Sequence, residues 1–261
     1  MAHVVQHRPG FWLVETQLED FQVRGAVIAG REKMVIWDTL SRPADMAHIA
    51  EMAPTLPLAV VYSHADWDHV LGTSGLTRSP EEVVAHALSR PRFDRELPGI
   101  LAERQRLDPS SYRDAWIVPP TRTVIQDPSQ GEGVLMDLGG VEIQLHPLPG
   151  HTPDSIVAFI PQWGIFLGGD SVETPLPFLN PGSPLGVWAE SLGAWADKLE
   201  EASEASLVIP SHGRVGGPEL LRETARYLED LLAGEVPELI GDLSPFYRET
   251  HANNMALARR G

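Results

Sequence analysis

A short apolar run that leads directly into four ligand-type side chains constrains this chain more than any other feature. Leu58 to Tyr62 reads Leu-Ala-Val-Val-Tyr, a composition typical of a strand that is buried on both faces. The segment that follows Ser63 holds two histidines and two aspartates, namely His64, Asp66, Asp68 and His69. Imidazoles and carboxylates gathered in one loop after a buried strand are typical of a site for zinc, iron or manganese.

The same four side chains also allow a simpler interpretation. If the segment is extended, alternation places His64, Asp66 and Asp68 on one side, and His69 needs a turn to join them. The alternative is a polar loop before a helix, in which Asp68 caps the helix N-terminus. Taken alone, the segment leaves both interpretations open.

Three later positions favour the metal site. His151, Asp170 and His212 each follow a strand-like run, just past its expected end. Two glycines precede Asp170, which suits a close approach of the backbone to another segment. Because open α/β sheets carry their sites at strand ends, these three residues are expected to meet the loop at 64–69.

Composition narrows the remaining possibilities. The chain has 261 residues, a net formal charge of −16 and no cysteine. Any metal ligands must therefore be nitrogen or oxygen atoms, and nucleic acid is not an expected partner because an acidic protein repels phosphate backbones. No apolar run reaches the roughly 18 residues of a membrane-spanning helix, and the N-terminus lacks a signal pattern. We therefore expect a cytoplasmic protein with no membrane partner.

The pattern of apolar residues predicts an α/β fold in which strands dominate each half. A helix is predicted over Pro43 to Met52, with Ser41 as its N-cap. A last helix is predicted in the tail, over about 244–261. No linker or repeat is evident, so residues 1–261 are expected to form one domain with two sheets inside and helices outside.

The order of the ligand-type motifs resembles that of the metallo-β-lactamase superfamily. That family has an aspartate after an early strand, then His-x-His-x-Asp-His, a Gly-His-Thr loop, a Gly-Asp, and a final histidine near a glycine. The matching positions here are Asp38, 64–69, His151, Asp170 and His212. The resemblance spans about 38–213, and it implies a four-layer αββα sandwich and a metal-dependent hydrolase.

Carried over residue by residue, the resemblance implies two divalent metal ions, with zinc expected first and iron or manganese as alternatives. The first ion would take His64, Asp66 and His151, the second would take Asp68, His69 and His212, and Asp170 would bridge them. Asp68 is also the expected catalytic residue, because it could position the nucleophile. Asp38 would orient a ligand histidine from behind. Its alternative role is that of a turn residue at a strand end.

One position departs from the family pattern. Asp66 stands where the family usually has its second histidine, and the flavodiiron branch similarly carries an acid there, although a glutamate. An oxygen ligand in place of nitrogen favours iron or manganese relative to a site rich in imidazole.

Three functions are consequently open. The first is hydrolysis of an ester, lactone, thioester, amide or phosphodiester, in which two cations lower the pKa of a shared water and the resulting hydroxide attacks. The second is an iron-dependent redox enzyme, of the oxygen reductase or sulfur dioxygenase type, which Asp66 alone supports. The third is a non-catalytic metal-binding module.

Contacts to a small-molecule substrate are predicted from residues near these motifs. Trp67 lies within the ligand loop and either walls the pocket or packs in the core. The proline-rich loop after the Gly-Asp motif carries Phe178, which is expected to cover the site together with Trp188. In the tail, Tyr247 and His251 share a predicted helix face and are expected to reach the substrate. The sequence makes no prediction about oligomeric state.

Overall fold

Two β-sheets form the centre of the protein in the computed structural model, which describes residues 1–124, 133–202, 206–239 and 242–259. Within these ranges the first sheet runs in chain order: β1 (His3–Arg8), β2 (Phe11–Gln17), β3 (Gln22–Ala29), β4 (Met34–Trp37), β5 (Leu58–Val61), β6 (Glu82–His86) and β7 (Arg122–Val124). Its first four strands are antiparallel, whereas β4 to β7 are parallel.

The second sheet contains five strands in the described ranges: β8 (Val134–Asp137), β9 (Glu142–Pro147), β10 (Ile156–Ile160), β11 (Ile165–Glu173) and β12 (Leu207–His212). Its spatial order is β12-β11-β10-β9-β8, and β11 and β12 form its parallel pair. Side chains from the inner faces of both sheets share one apolar cluster, so the sheets pack face to face.

Helices cover the outer face of each sheet. Those on the first sheet are α1 (Pro43–Met46), α2 (Trp67–Val70), α3 (Ser89–Arg95), α4 (Leu97–Leu107) and α5 (Pro109–Tyr112); those on the second are α6 (Leu185–Ala202), α7 (Glu219–Ala233) and α8 (Pro245–Ala258). The predicted four-layer αββα sandwich is therefore confirmed. No helix in the described part of the chain is both long and apolar enough to cross a membrane.

Strand β5 shows how the sequence builds this arrangement. Its residues are all buried, as the apolar run predicts. Alternate side chains point to opposite faces of a strand, so Leu58 and Val60 pack under the helices, while Ala59 and Val61 enter the core between the sheets. The strand consequently has no free face, and the chain emerges from it at Ser63 with ligand residues next in line.

The helix predicted over Pro43 to Met52 differs from the structure. The segment forms α1 and a separate 3₁₀ turn at Ile49–Met52, and the N-cap position belongs to Arg42, whose side chain makes no capping bond. Ser41 is fully buried, and its hydroxyl bonds to that of Tyr112 instead. A buried hydroxyl needs a partner, and here a tertiary partner replaces the local cap.

The tail helix α8 lies within the predicted tail at 244–261, whose last two residues fall outside the described ranges. Asn254 on this helix is 1% exposed, and its side chain forms hydrogen bonds with the loop that follows β11. Its side-chain oxygen accepts from Leu179 N at 3.2 Å, and its amide donates to Pro177 O at 2.7 Å and to Tyr227 Oη at 3.0 Å. The tail is thereby fixed to a loop close to the ligand residues.

We expect Asn254→Ala to lower the free energy of unfolding by about 1–3 kcal/mol, because the buried groups of its partners lose their hydrogen bonds. The melting temperature measured by thermal unfolding should fall by about 2–4 °C for each kcal/mol lost in a domain of this size. Exposed Asn253 provides the matched control, and Asn253→Ala should leave the melting temperature unchanged. Equal melting temperatures for both variants would show that the hydrogen bonds of Asn254 do not stabilise the fold.

Candidate metal centre

The ligand-type residues meet at one edge of the sandwich, where several elements end. His64 follows β5, Asp68 and His69 lie on α2, and His151 lies in the loop between β9 and β10. Asp170 and His212 were expected just past strand ends, but β11 extends to Glu173 and β12 includes His212. Register shifts in the pairing of β11 with β12 accompany this, so both side chains belong to irregular strand ends.

Gly169 allows the two halves of the site to approach each other. Its φ is +54°, and a Cβ there would lie 2.9 Å from the Cβ of Ser63. A larger residue would therefore push β11 away from the segment that carries His64. This is the close backbone approach that the sequence predicts for the glycines before Asp170.

The side chains form two triads on either side of Asp170. His64, Asp66 and His151 make the first triad, Asp68, His69 and His212 make the second, and the ligand atoms within each triad lie within 4.8 Å of one another. The Oδ2 atom of Asp170 lies between them, at 3.6 Å from His64 Nε2, 3.3 Å from His69 Nε2, 3.8 Å from His151 Nε2 and 3.3 Å from His212 Nε2. The seven predicted ligands are thus brought together.

Hydrogen bonds behind the rings fix the orientation of the four histidines. His69 Nδ1 donates to Asp38 Oδ2 at 2.9 Å, His151 Nδ1 to Phe178 O at 2.8 Å, His212 Nδ1 to Gln22 O at 2.7 Å, and His64 Nδ1 to Ser63 Oγ at 2.9 Å. With Nδ1 occupied as a donor, each ring presents Nε2 to the centre, and loss of the Nε2 proton leaves a lone pair there for a metal ion.

Asp38 holds this arrangement from behind the second triad. It is 1% exposed, and its Oδ1 accepts from Ser63 N at 2.7 Å while its Oδ2 also accepts from Ser63 Oγ at 2.7 Å. Its φ of 54° turns the chain sharply after β4, so both a turn role and an orienting role meet in this residue. The sequence alone leaves these two roles open as alternatives.

The residues present fit divalent metal ions. The buried atoms His64 Nε2, His69 Nε2 and Asp170 Oδ1 have no hydrogen-bond partner among the described residues. Buried polar atoms without partners are costly, and these three belong to residues of one cluster of nitrogen and oxygen donors. Imidazole nitrogens and carboxylate oxygens are suitable ligands for zinc, iron and manganese, and coordination would satisfy these atoms.

Carboxylates dominate the electrostatics of this cluster. Burial lowers the pKa of His151, but the hydrogen bond and charge of Asp66 outweigh it and raise the pKa to about 9. Burial also lowers the pKa of His212, and the charge of Asp170 reverses this and raises the pKa to about 10. Conversely, burial raises the pKa of Asp170, but His69 and the other imidazoles hold it well below its usual range. The field that draws protons to these imidazoles also attracts metal cations.

Asp66 has a partner, Arg92, that no sequence motif indicates. Its Oδ2 faces the first triad, 3.1 Å from His151 Nε2 and 3.4 Å from His64 Nε2, while its Oδ1 accepts from Arg92 Nη2 on α3. Asp66 is the N-cap residue of α2 but makes no capping bond, and Asp68 lies inside that helix. The capping alternative for Asp68 is therefore wrong.

A cavity of about 660 Å³ opens over the two triads. Trp67 and Phe178 line it, as predicted. The guanidinium of Arg104 stacks on the ring of Trp67, with its Cζ atom 3.7 Å from the ring centroid. Trp67 also packs against the core of the first sheet, so its two alternative placements both apply. No sequence motif marks the further lining residues, which are Leu18, Glu19, Asp20, Phe21, Arg42, Arg104, Leu107, Asp108, Tyr112, Glu173 and Phe246.

Three other predicted contacts behave differently. Tyr247 reaches the cavity wall indirectly, since its hydroxyl donates to Glu173 Oε1 at 3.0 Å and Glu173 lines the cavity. His251 does not line the cavity, and its Nδ1 bonds to the hydroxyl of Tyr227 at 3.0 Å. The prediction for Trp188 is wrong. Its ring is fully buried against Gly150, where a Cβ would come within 2.3 Å of it, so it supports the His151 loop from the core.

Comparisons with known proteins agree with this geometry. The family model described as the metallo-beta-lactamase superfamily matches residues 18–212. A putative transcription factor, avaE of Aspergillus versicolor, is 26% identical over 206 residues, which are 73% of this chain and 58% of that protein. A metallo-beta-lactamase type 2 of Bacillus cereus is 30% identical over 100 residues, which are 36% of this chain and 37% of that protein. The alignments thus span 58% and 37% of these two curated relatives.

Solved structures share the fold at low sequence identity. A metallo-beta-lactamase from Pontibacter korlensis is 19% identical with a TM-score of 0.64, covering 88% of this chain and 100% of that chain. The metallo-beta-lactamase FIM-1 from Pseudomonas aeruginosa, in its mono-zinc form, is 24% identical with a TM-score of 0.63, covering 88% and 95%. Since the family model covers most of the chain, this protein belongs to the metallo-β-lactamase superfamily.

Proposed function

We propose that this protein is a dinuclear metallohydrolase that acts on a small-molecule substrate. Membership in the superfamily supports metal-dependent hydrolysis in general. The observation that carries the dinuclear proposal is the position of Asp170 Oδ2, within 3.8 Å of the Nε2 atoms of all four histidines and between two triads. A carboxylate so placed can serve two cations at once.

The first triad would hold one ion and the second triad the other, with zinc as the expected metal and iron or manganese as alternatives. When bound, such ions supply a hydroxide nucleophile near neutral pH and polarise the group under attack. Asp68 is the residue we assign to hold a proton of the attacking water, because it is 6% exposed, lines the cavity and belongs to the second triad.

The aromatic wall of the cavity would orient the substrate and exclude bulk water. The backbone carbonyl of Phe178 accepts the hydrogen bond that orients His151, so the loop that carries Phe178 also supports the first triad. The cavity is lined both by apolar side chains such as Trp67 and by charged ones such as Arg42 and Asp20. This suits a substrate with an apolar part, and the class of the scissile bond is the quantity to be measured.

Metal analysis combined with a substrate screen tests this proposal. Protein purified without added metal should contain about two ions per chain, as a two-metal hydrolase requires. It should cleave at least one of the ester, lactone, thioester, amide and phosphodiester probes. Absence of metal, together with no turnover after loading with zinc, iron or manganese, would overturn it. Iron content with oxygen consumption and no hydrolysis would establish the redox alternative instead.

Phe178→Ala should raise KM for the substrate identified in this screen about three- to tenfold with little change in kcat, since a partly exposed aromatic ring contributes roughly 25 cal/mol per Å² of the area that the substrate covers. The substitution keeps the backbone carbonyl that accepts from His151. Steady-state kinetics would measure it against Val187→Ala, which truncates a 55% exposed residue on α6. Equal KM values for the two variants would show that Phe178 does not contact the substrate.

A further inference from the structure

An acid at position 66 presents a problem that histidine would not. A carboxylate adds a negative charge to the first triad, and it has two oxygens where a histidine offers one nitrogen. In the structure the two oxygens of Asp66 have different partners. Oδ2 faces His64 and His151, whereas Oδ1 points to Arg92, and the Asp66 side chain is 25% exposed.

Arg92 is itself held firmly in place. Its side chain is 17% exposed, its Nη1 donates to Asp154 Oδ1 at 2.9 Å, and its Nε donates to Glu96 Oε2 at 3.0 Å. Asp154 is fully buried, and its other oxygen accepts from Ala65 N at 2.9 Å. The guanidinium therefore joins α3, the ligand loop and the His151 loop, and its planar fork cannot turn away from Asp66 without breaking these bonds.

We propose that Arg92 is a positioning residue that makes Asp66 serve as a one-oxygen ligand in the place of a histidine. By occupying Oδ1 it directs Oδ2 alone to the first triad. Its positive charge, which Asp154 and Glu96 share, offsets part of the charge of the carboxylate. The Asp66–Arg92 pair thus presents one donor atom to the first triad, as a neutral imidazole does. This inference rests on the proposed function, namely that the first triad binds a metal ion.

A purely structural role for Arg92 predicts something different. Its bond to Asp154 would then matter because it braces the two loops, whichever residue stands at position 66. The two roles separate when Asp66 is replaced by histidine, which needs no partner to select one donor atom. Arg92 should affect metal binding when residue 66 is aspartate and lose that effect when it is histidine.

The test is a competition titration of the metal-free full chain with Zn²⁺ and a chromogenic chelator. Asp66→Ala identifies the binding step of the first triad. Arg92→Gln should weaken that step about 10- to 100-fold, the usual loss on removing a partner of a ligand. It should leave the other step within about twofold, because Arg92 pairs with Asp66, Asp154 and Glu96 and with no residue of the second triad. Arg90→Gln, on the exposed side of the same helix, is the matched control and should bind as the parent does.

The same substitution is then made in the Asp66→His background, where Arg92→Gln should change the first step by no more than about twofold. If Arg92→Gln does not fold, Arg92→Lys takes its place in both backgrounds, because it keeps the charge but loses the planar fork. No loss in the Asp66 background, or equal losses in both, would overturn the positioning role. Parent protein that binds no Zn²⁺ would instead contradict the proposed function.

Discussion

Asp170→Asn is expected to lower the turnover of the metal-loaded protein about a hundred- to a thousandfold, the usual cost of removing one preorganised electrostatic group from an active site. The amide keeps the shape of the carboxylate but loses its charge and one of its two ligating oxygens, at the point where the Nε2 atoms of four imidazoles converge. The metal content should fall below that of the parent at both triads. Steady-state kinetics and metal analysis of the same preparation would measure both effects.

Asp137→Asn is the control for this substitution. Asp137 is an exposed acid at the end of β8 that accepts from Gly139 N at 2.9 Å, and it does not line the cavity. It undergoes the same chemical change, and both turnover and metal content should remain those of the parent. Parental metal content in Asp170→Asn would contradict the bridging role, whatever the effect on turnover.

The sandwich and the set of ligand residues could be predicted because both leave local marks in the sequence. A strand buried on both faces, such as β5, admits no polar residue, and this makes the run from Leu58 conspicuous. Histidines and acids at strand ends have no packing use, so their order along the chain carries information. The division into two triads, however, came from the family resemblance, because spacing alone cannot tell which side of Asp170 a ligand occupies.

Tertiary contacts explain what the sequence could not predict. Arg92 lies in a polar helical segment among other arginines, and only the position of α3 over the ligand loop distinguishes it. Trp188 is near the site in sequence, but the face of α6 that carries it packs on Gly150. Strand β1 is largely exposed and is held by its backbone pairing with β2. Its sequence therefore lacks the alternation of apolar residues that would predict a strand.

The tail helix shows the same limit at finer scale. Tyr247 and His251 share a helix face, as their spacing predicts, but four residues correspond to about 6 Å along the axis. That distance separates a residue that bonds to Glu173 in the cavity wall from one that bonds to Tyr227 on α7. A helical periodicity gives the direction of a side chain and leaves open where along the axis the site ends.

Asp38→Asn is expected to disable the second triad while the fold remains intact. Asparagine tolerates the φ of 54° at this position, so the turn after β4 should form. If the amide oxygen keeps its bond to Ser63 N, the amide NH₂ faces His69 Nδ1, which must then become an acceptor. The ring proton moves to Nε2, where it points into the site. A comparable carboxylate-to-amide change behind a catalytic histidine costs about 10⁴ in kcat, so we expect a loss of about 10²–10⁴ in turnover.

Asp45→Asn provides the comparison, because Asp45 is a buried aspartate on α1 that contacts the N-terminal amine instead of a ligand histidine. It should retain both metal-binding steps and the turnover of the parent. In Asp38→Asn, the Zn²⁺ step of the second triad should weaken about 10- to 100-fold while the step of the first triad persists. Equal weakening of both steps would indicate a general loss of packing around β4. Loss confined to the second triad, in a protein whose metal-free melting temperature is unchanged, would locate the defect at the proton on His69.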